Sequence, residues 1–438
     1  EWGAPGSGGI DTSSAESLTF LQAGSLSNSA VLNRIMSGNP TQFDGTLSGL
    51  DMRIFIVNPA GIIFGEGSQI NVSQLVASGL NMSNDAFNAI LADESKLMVF
   101  RDGEGTVQNL GSITADSVYL IGKRVLNSGS ILAPEGLVVM AAGDRVYLGQ
   151  NGSSVLVEVG TEPVDPVPDV VNEGSVTADS GTIILAAGDR FSRAIRNVGI
   201  LAAAAGTITV DAARIENSGT INADGGGAIS LTATEAIVLN GDGMTTADGG
   251  SLLVEGPGLT IADGYVPADA AENTLYEKWV EEQSKAGTDL ELVAGSKTLG
   301  NIVVQNISDG EITGGSGDIA LRTKYDTGGI TFLSQAEGDP VTTTIHTTAG
   351  GSVYMLAGEG GITVGEIITE VPSSDKVTEP GRIRLFTNNY GNISTGQLIV
   401  QGGSYDEVSI IASGDLTVRG NVETITNQVP SEIKEVGQ

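Results

Sequence analysis

The sequence predicts an all-β fold, a right-handed parallel β-helix (solenoid) with one short helical insertion. Three observations carry that prediction: a motif recurring in fixed phase, short apolar runs with strand periodicity, and a glycine-rich, aromatic-poor composition. The 438 residues include 62 glycines but only 13 prolines, with no Gly-X-Y period. Collagen is thereby excluded, and many tight turns between short strands remain. Hydrophobic residues make up 40% of the chain and aromatic ones 4%, so the core is built from Val, Ile, Leu and Ala. A length that would otherwise suggest two or three domains is accommodated by adding coils.

The recurring motif begins at Asn109, Asn127, Asn172, Asn197 and Asn217, each followed two residues later by glycine. The copies start 18, 45, 25 and 20 residues apart, the 45 being two coils with an extra loop over Thr161–Pro168. A period near 20 residues with two or three strands per period is that of a solenoid coil. Equivalent residues of neighbouring coils stack about 4.8 Å apart, so the five asparagines are expected to form a hydrogen-bonded ladder inside a turn. The glycine is expected to supply the backbone angles of the corner.

Each copy runs on into a second apolar stripe, as in Leu137–Val146, Thr182–Phe191 and Thr207–Ile215. Every second residue is apolar, and the runs are rich in β-branched residues and bounded by Gly, Asn and Asp, which favours strands. The pattern weakens but persists to residues 415–418. Residues 268–287 depart from it: Leu275, Trp279 and Val280 share one helical face and the opposite side is charged. They predict a helix packed on the solenoid, capped by Asp269 or Asn273 and ended by Gly287. The division expected is 1–155, 156–264, the insertion at 265–288, and a more divergent β-helix over 289–438.

The 53 acidic and 21 basic residues leave a net charge of −32. That sign repels phosphate backbones and anionic lipid, so nucleic acid is not an expected partner. Exposed carboxylates leave room for loosely held calcium, though Gly314–Leu321 matches a calcium nonapeptide only once and one residue short. No other cofactor is expected. There is no cysteine and no apolar run long enough for a membrane span, and the opening Glu1-Trp2-Gly3 is not that of a signal peptide, so the expectation is a removed signal or an internal fragment.

Chemistry is sparse. The single histidine, His346, lies in a Thr-rich strand, where a structural or solvent-exposed role is expected. No Gly-x-Ser-x-Gly, phosphate-binding loop or His-Glu-x-x-His is present. Acids such as Asp116, Asp144, Asp179, Asp189 and Asp224 fall at turns, with Asp144-Arg145 and Asp189-Arg190 in the same phase. An enzyme is therefore not expected. The alternative, a β-helical polysaccharide lyase or hydrolase, would need converging carboxylates with a nearby base.

The first 100 residues resemble the secretion domain of filamentous-haemagglutinin-like exoproteins of bacterial two-partner secretion. The resemblance lies in Val31–Ile35, Gly38–Leu47 with Asn39-Pro40, Phe55–Gly65, Ile70–Val72 and Leu75–Ser78. The family's Asn-Pro-Asn-Gly-Ile motif is Asn58-Pro59-Ala60-Gly61-Ile62 here, with Ala60 as the departure. The later repeats are similar to the family's β-helical shaft, and the likeness fades after about residue 330. The family's domain starts several strands earlier, which implies an N-terminal cap missing or reduced to residues 1–25. Membership implies export through an outer-membrane transporter of a Gram-negative-type bacterium, and an adhesin or fibre at the cell surface or outside the cell. The partners it implies are that transporter, other copies joined head to tail, and a host or cell-surface glycan or protein. The Pro-containing loops Gly160–Val170 and Glu370–Gly381 are the expected contact loops.

Overall fold

A computed structural model describes residues 2–3, 9–22, 29–93, 95–149, 155–158, 169–187, 194–241, 243–305, 307–334, 340–371, 381–401 and 408–425. Most of both expected contact loops, and Asp189-Arg190, lie outside these residues. The chain falls into two compact units, residues 1–223 with 243–245, and residues 224–242 with 246–438.

The first unit is a parallel β-helix with three lines of strands. One line stacks Thr41–Phe43, Ile62–Phe64, Thr106–Asn109, Arg124–Asn127, Val170–Asn172, Ala194–Asn197 and the end of Thr207–Asn217. The second stacks the starts of Thr46–Val57, Gln69–Ser78 and Ser112–Gly122 with Ser130–Leu132, Ser175–Thr177, Ile200–Ala202 and Thr220–Asn222. The third runs from Ser29–Arg34 through the ends of the same long strands to Leu137–Ala142, Thr182–Ala187 and Thr207–Ala212. Before these, Thr12 pairs with Phe43 in the first line, Ser17–Thr19 with Thr46–Ser48 in the second and Ser29–Arg34 with Met52–Val57 in the third.

In the middle of the third line, from Ile54–Val57 to Leu137–Ala142, the chain is buried on both faces. Ile54, Leu75, Val118, Val138 and Ile183 stack inward, and Phe55, Val76, Tyr119 and Val139 stack outward, all without solvent contact to speak of. The outward rank is covered by helix α1 (Asn84–Ala92) and a three-stranded antiparallel sheet of Met98–Arg101, Arg145–Leu148 and Val155–Glu158. Phe100, Met98, Val146, Leu148 and Ile90 complete this second core. Phe87 meets Phe55 edge to face at 5.2 Å, and the Ser83 hydroxyl caps α1 by accepting from the Ala86 N–H. Neither α1 nor the antiparallel sheet is part of the expectation of a single helical insertion. Burying each such aromatic contributes about 1.5–3 kcal/mol, which fastens the cover to the helix.

Burial pushes the Tyr119 phenol from 10.0 up to about 12. Between those values the unfolded chain loses the phenolic proton while the folded chain keeps it, so stability falls as pH rises. Tyr119→Phe is expected to flatten that alkaline loss relative to the native chain, by about 2 kcal/mol across the window. Urea unfolding at pH 9 and pH 11.5 checks it. Parallel slopes for the two proteins would refute it.

The second unit repeats three parallel sheets in turn. Ser251–Gly256, Asp289–Ala294, Ile319–Thr323, Val353–Ala357, Ile383–Thr387 and Val408–Ile411 form the first. Leu259–Ala262 to Leu416–Val418 form the second, and Glu311–Gly314 to Val422–Ile425 the third. The helix expected over 268–287 is shorter, α2 (Glu277–Lys285), because Thr274–Tyr276 pairs as a strand with Thr260–Ala262. No side chain caps it. Asn273 instead uses its amide oxygen to accept from the Ile237 N–H, and Gly287, at φ +80°, follows the helix end.

Part of the charged side of α2 is buried rather than solvated. Glu277 and Glu281 are buried, with Lys278 2.6 Å from Glu277 and 2.8 Å from Asp309, and Lys285 2.9 Å from Glu281. Asp309 and then Glu277 hold the Lys278 ammonium above its usual range. Glu281 accepts from the Thr313 N–H and the Ser284 hydroxyl from the Gly315 N–H, so α2 satisfies strand amides with its side chains. A buried carboxylate is tolerated because cations and amides surround it.

Candidate functional site

The five repeat asparagines are buried and joined in series. Each amide nitrogen donates to the next amide oxygen at 2.8 Å, from Asn109 to Asn127, Asn172, Asn197 and Asn217, and Asn217 donates to Thr245 Oγ1 at 3.1 Å. The glycines two residues on differ from expectation, since none of Gly111, Gly129, Gly174, Gly199 and Gly219 has a positive φ. They are needed for space. A Cβ at Gly129, Gly174, Gly199 or Gly219 would lie 2.0–2.2 Å from the carbonyl oxygen of the glycine below.

A second constellation sits where the third strand line turns into the asparagine line. Asn58 Nδ2 donates to the Asn39 carbonyl at 2.9 Å and to Thr41 Oγ1 at 3.0 Å, while its Oδ1 accepts from the Ala60 N–H at 3.0 Å. Gly61 has φ +118°, and a Cβ there would stand 2.9 Å from the Thr106 carbonyl and 3.7 Å from Pro40. Ile62 is buried and pairs with Thr41. Asn39, Pro40, Asn58, Gly61 and Ile62 thus meet at one corner, and the Pro59 carbonyl accepts from the Glu104 N–H at 3.2 Å. Proline presets one turn angle and Gly61 permits the other. These residues lie apart in sequence from the asparagine ladder.

The long insertions that carry α1 and the antiparallel strands, between Ser78 and Thr106 and between Ala142 and Val170, leave from the equivalent turns one and three coils further along the same edge. Arg34 ties the cover down, donating to Asn84 Oδ1 at 3.0 Å and to the Met82 carbonyl. Sequence reasoning missed this cover. Its signal was the unbroken apolar run in Ile54–Val57, Val118–Ile121 and Leu137–Ala142, where a one-sided strand would alternate.

The corner offers shape, backbone groups and apolar surface rather than reacting groups. Elsewhere, His346 is neither isolated nor fully exposed. It is partly buried, with Nδ1 2.9 Å from Glu311 and Nε2 3.3 Å from Glu370. Asp144 pairs with Lys123, and Arg145 runs into the antiparallel sheet. Among the described residues no three His, Asp or Glu side chains are grouped to hold a metal ion. None of their helices is long and apolar enough to cross a membrane.

Comparison with known proteins places the corner within a recognised domain. Residues 11–231 match the model of the TPS secretion domain. Over 136 residues, 30% of this chain, the sequence is 32% identical to the heme/hemopexin-binding protein of Haemophilus influenzae. The chain spans 15% of that protein's length. Among solved structures, the HMW1 secretion domain from Haemophilus influenzae aligns with 92% of this chain and 89% of its own, at 21% identity and a TM-score of 0.39. With a secretion-domain match over half its length, the chain belongs to the exoproteins of two-partner secretion, which Gram-negative bacteria export to the cell surface or beyond.

Proposed function

We propose that the corner of Asn39, Asn58 and Gly61, with the cover that leaves from the same edge, is what the outer-membrane transporter reads during export. We further propose that the exported solenoid serves at the cell surface as a structural, adhesive element. One observation carries the first reading: within the matched residues, the motif and both long insertions lie along one edge of the helix, at the turns between the third strand line and the asparagine line. A β-helix can spare that corner because strands elsewhere hold the coil.

The test is secretion from cells co-expressing the cognate transporter. Asn58→Ala removes the amide that ties one turn to the next. It is expected to lower secreted protein at least tenfold while the purified variant keeps the β-sheet circular dichroism of the native chain. Undiminished secretion would overturn the recognition role. For the surface role, adhesion of cells carrying the exported chain is expected to exceed that of cells lacking it, and equal adhesion would count against it.

A further inference from the structure

The outward face of the second unit's first sheet departs from an ordinary solvated strand face. Tyr354 and Arg384 are paired on adjacent strands, and Leu356, Phe386 and Ile411 stand one above another beside them. All five are partly open to solvent, Ile411 the most at 47%. The Arg384 guanidinium lies 5.8 Å from the Tyr354 ring centre. Among the described residues it forms no ion pair, whereas Arg322 on the same face pairs with Glu291 at 3.3 Å. In a chain with 53 acids and 21 bases, an unpaired guanidinium set among apolar side chains calls for an explanation.

The turn leaving the Phe386 strand adds a second observation. Asn389 and Tyr390 hold φ of 52° and 63°, and Tyr390 is 87% exposed. A bulky residue in that region costs about 1–2 kcal/mol that glycine would not, so an aromatic is displayed there against backbone preference.

With coils about 4.8 Å apart and a rise near 3.3 Å per residue, the face covers only a few hundred Å². A stable protein pair needs about 800 Å² per partner, so a second copy is too large an occupant for what is offered. A short ligand fits. Ring faces suit the C–H faces of a sugar, and the guanidinium fork suits a carboxylate.

We propose that this face binds an acidic oligosaccharide, its carboxylate held by Arg384 and its ring by Tyr354 and Phe386. The proposal deepens the surface role above and rests on it for its setting. The test is calorimetric titration of the whole chain with tetragalacturonate, its methyl ester and tetraglutamate. Tetragalacturonate is expected to bind, and the ester to bind at least tenfold more weakly. Arg384→Ala should lose at least tenfold and Phe386→Ala at least threefold, with circular dichroism unchanged, and Arg384→Lys should keep part of the affinity. No binding of tetragalacturonate, or equal binding by Arg384→Ala, would overturn the site. Equal affinity for tetraglutamate would overturn the sugar in favour of an acidic peptide. Adhesion without uronate binding sinks this site alone, and uronate binding by a chain that confers no adhesion sinks the surface role alone.

Discussion

Gly174→Ala is expected to destabilise the first unit by about 3 kcal/mol or more, although it adds a single methyl group. The new Cβ would lie 2.0 Å from the Gly129 carbonyl oxygen and 2.9 Å from its carbon. Those atoms are backbone, already held by the Ser175 N–H donating to Gly129 at 2.9 Å and the Gly174 N–H donating to Asn127 at 3.0 Å. Relief therefore requires moving one coil off the next, which stretches the ladder. Gly38→Ala is the control. Gly38 has φ +80° but nothing within 4 Å of a Cβ, so only the angular cost of about 1–2 kcal/mol applies. Urea midpoints by far-ultraviolet circular dichroism measure both. If the two variants lose the same amount, the corner needs glycine for its angles rather than for its space.

Asn172→Ala is expected to cost about 2–4 kcal/mol, the upper end reflecting a break in the middle of a buried network. Asn172 donates to Asn197 Oδ1 at 2.8 Å and to the Ile200 carbonyl at 3.2 Å, and accepts from Asn127 at 2.8 Å. Removing it leaves a buried amide donor of Asn127 and an acceptor of Asn197 without these partners, in a site closed to water. Asn109→Ala, at the ladder's end, removes the donor to Asn127 Oδ1 and the acceptor of the Gly111 N–H at 3.2 Å but breaks no bond between two other asparagines, and is expected to cost less. The comparison uses the same urea unfolding. Equal losses at residues 109 and 172 would mean that the amides act singly, without the chain of bonds adding anything.

Much of this was legible because a solenoid writes its contacts into its sequence. Asn127 meets Asn109 and Asn172 in space, and the three occupy one phase in sequence, so repetition reveals the neighbour. The same holds for Ile113, Ile131 and Val176, which stack inward in register. The corner of Asn58 was readable as a turn from proline and glycine, and its place in a secretion domain from the blocks around it. The cover over Phe55 and Tyr119 was harder. Met98–Arg101 and Arg145–Leu148 are joined once and antiparallel, 44 residues apart at the Arg101–Arg145 pair, with no second copy to show a phase.

The residues of α2 show the same limit at the level of charge. A helix with Glu277, Lys278, Glu281 and Lys285 reads as half-solvated, yet both glutamates are buried against cations and strand amides. A side chain's charge is local, while the backbone N–H groups that help compensate its burial come from other elements, Gly264 for Glu277 and Thr313 for Glu281. Arg384 and Tyr354 likewise become neighbours only through strand register.

The amino-acid order alone determined the coil, its strand phase, the asparagine stack and the family, because each is a local pattern stated several times. Tertiary structure decided why the corners require glycine, what covers the third strand line, how α2 buries its acids and which outward side chains share a face. Those depend on the distance between backbones a coil apart and on contacts made only once, and neither leaves a period in the chain.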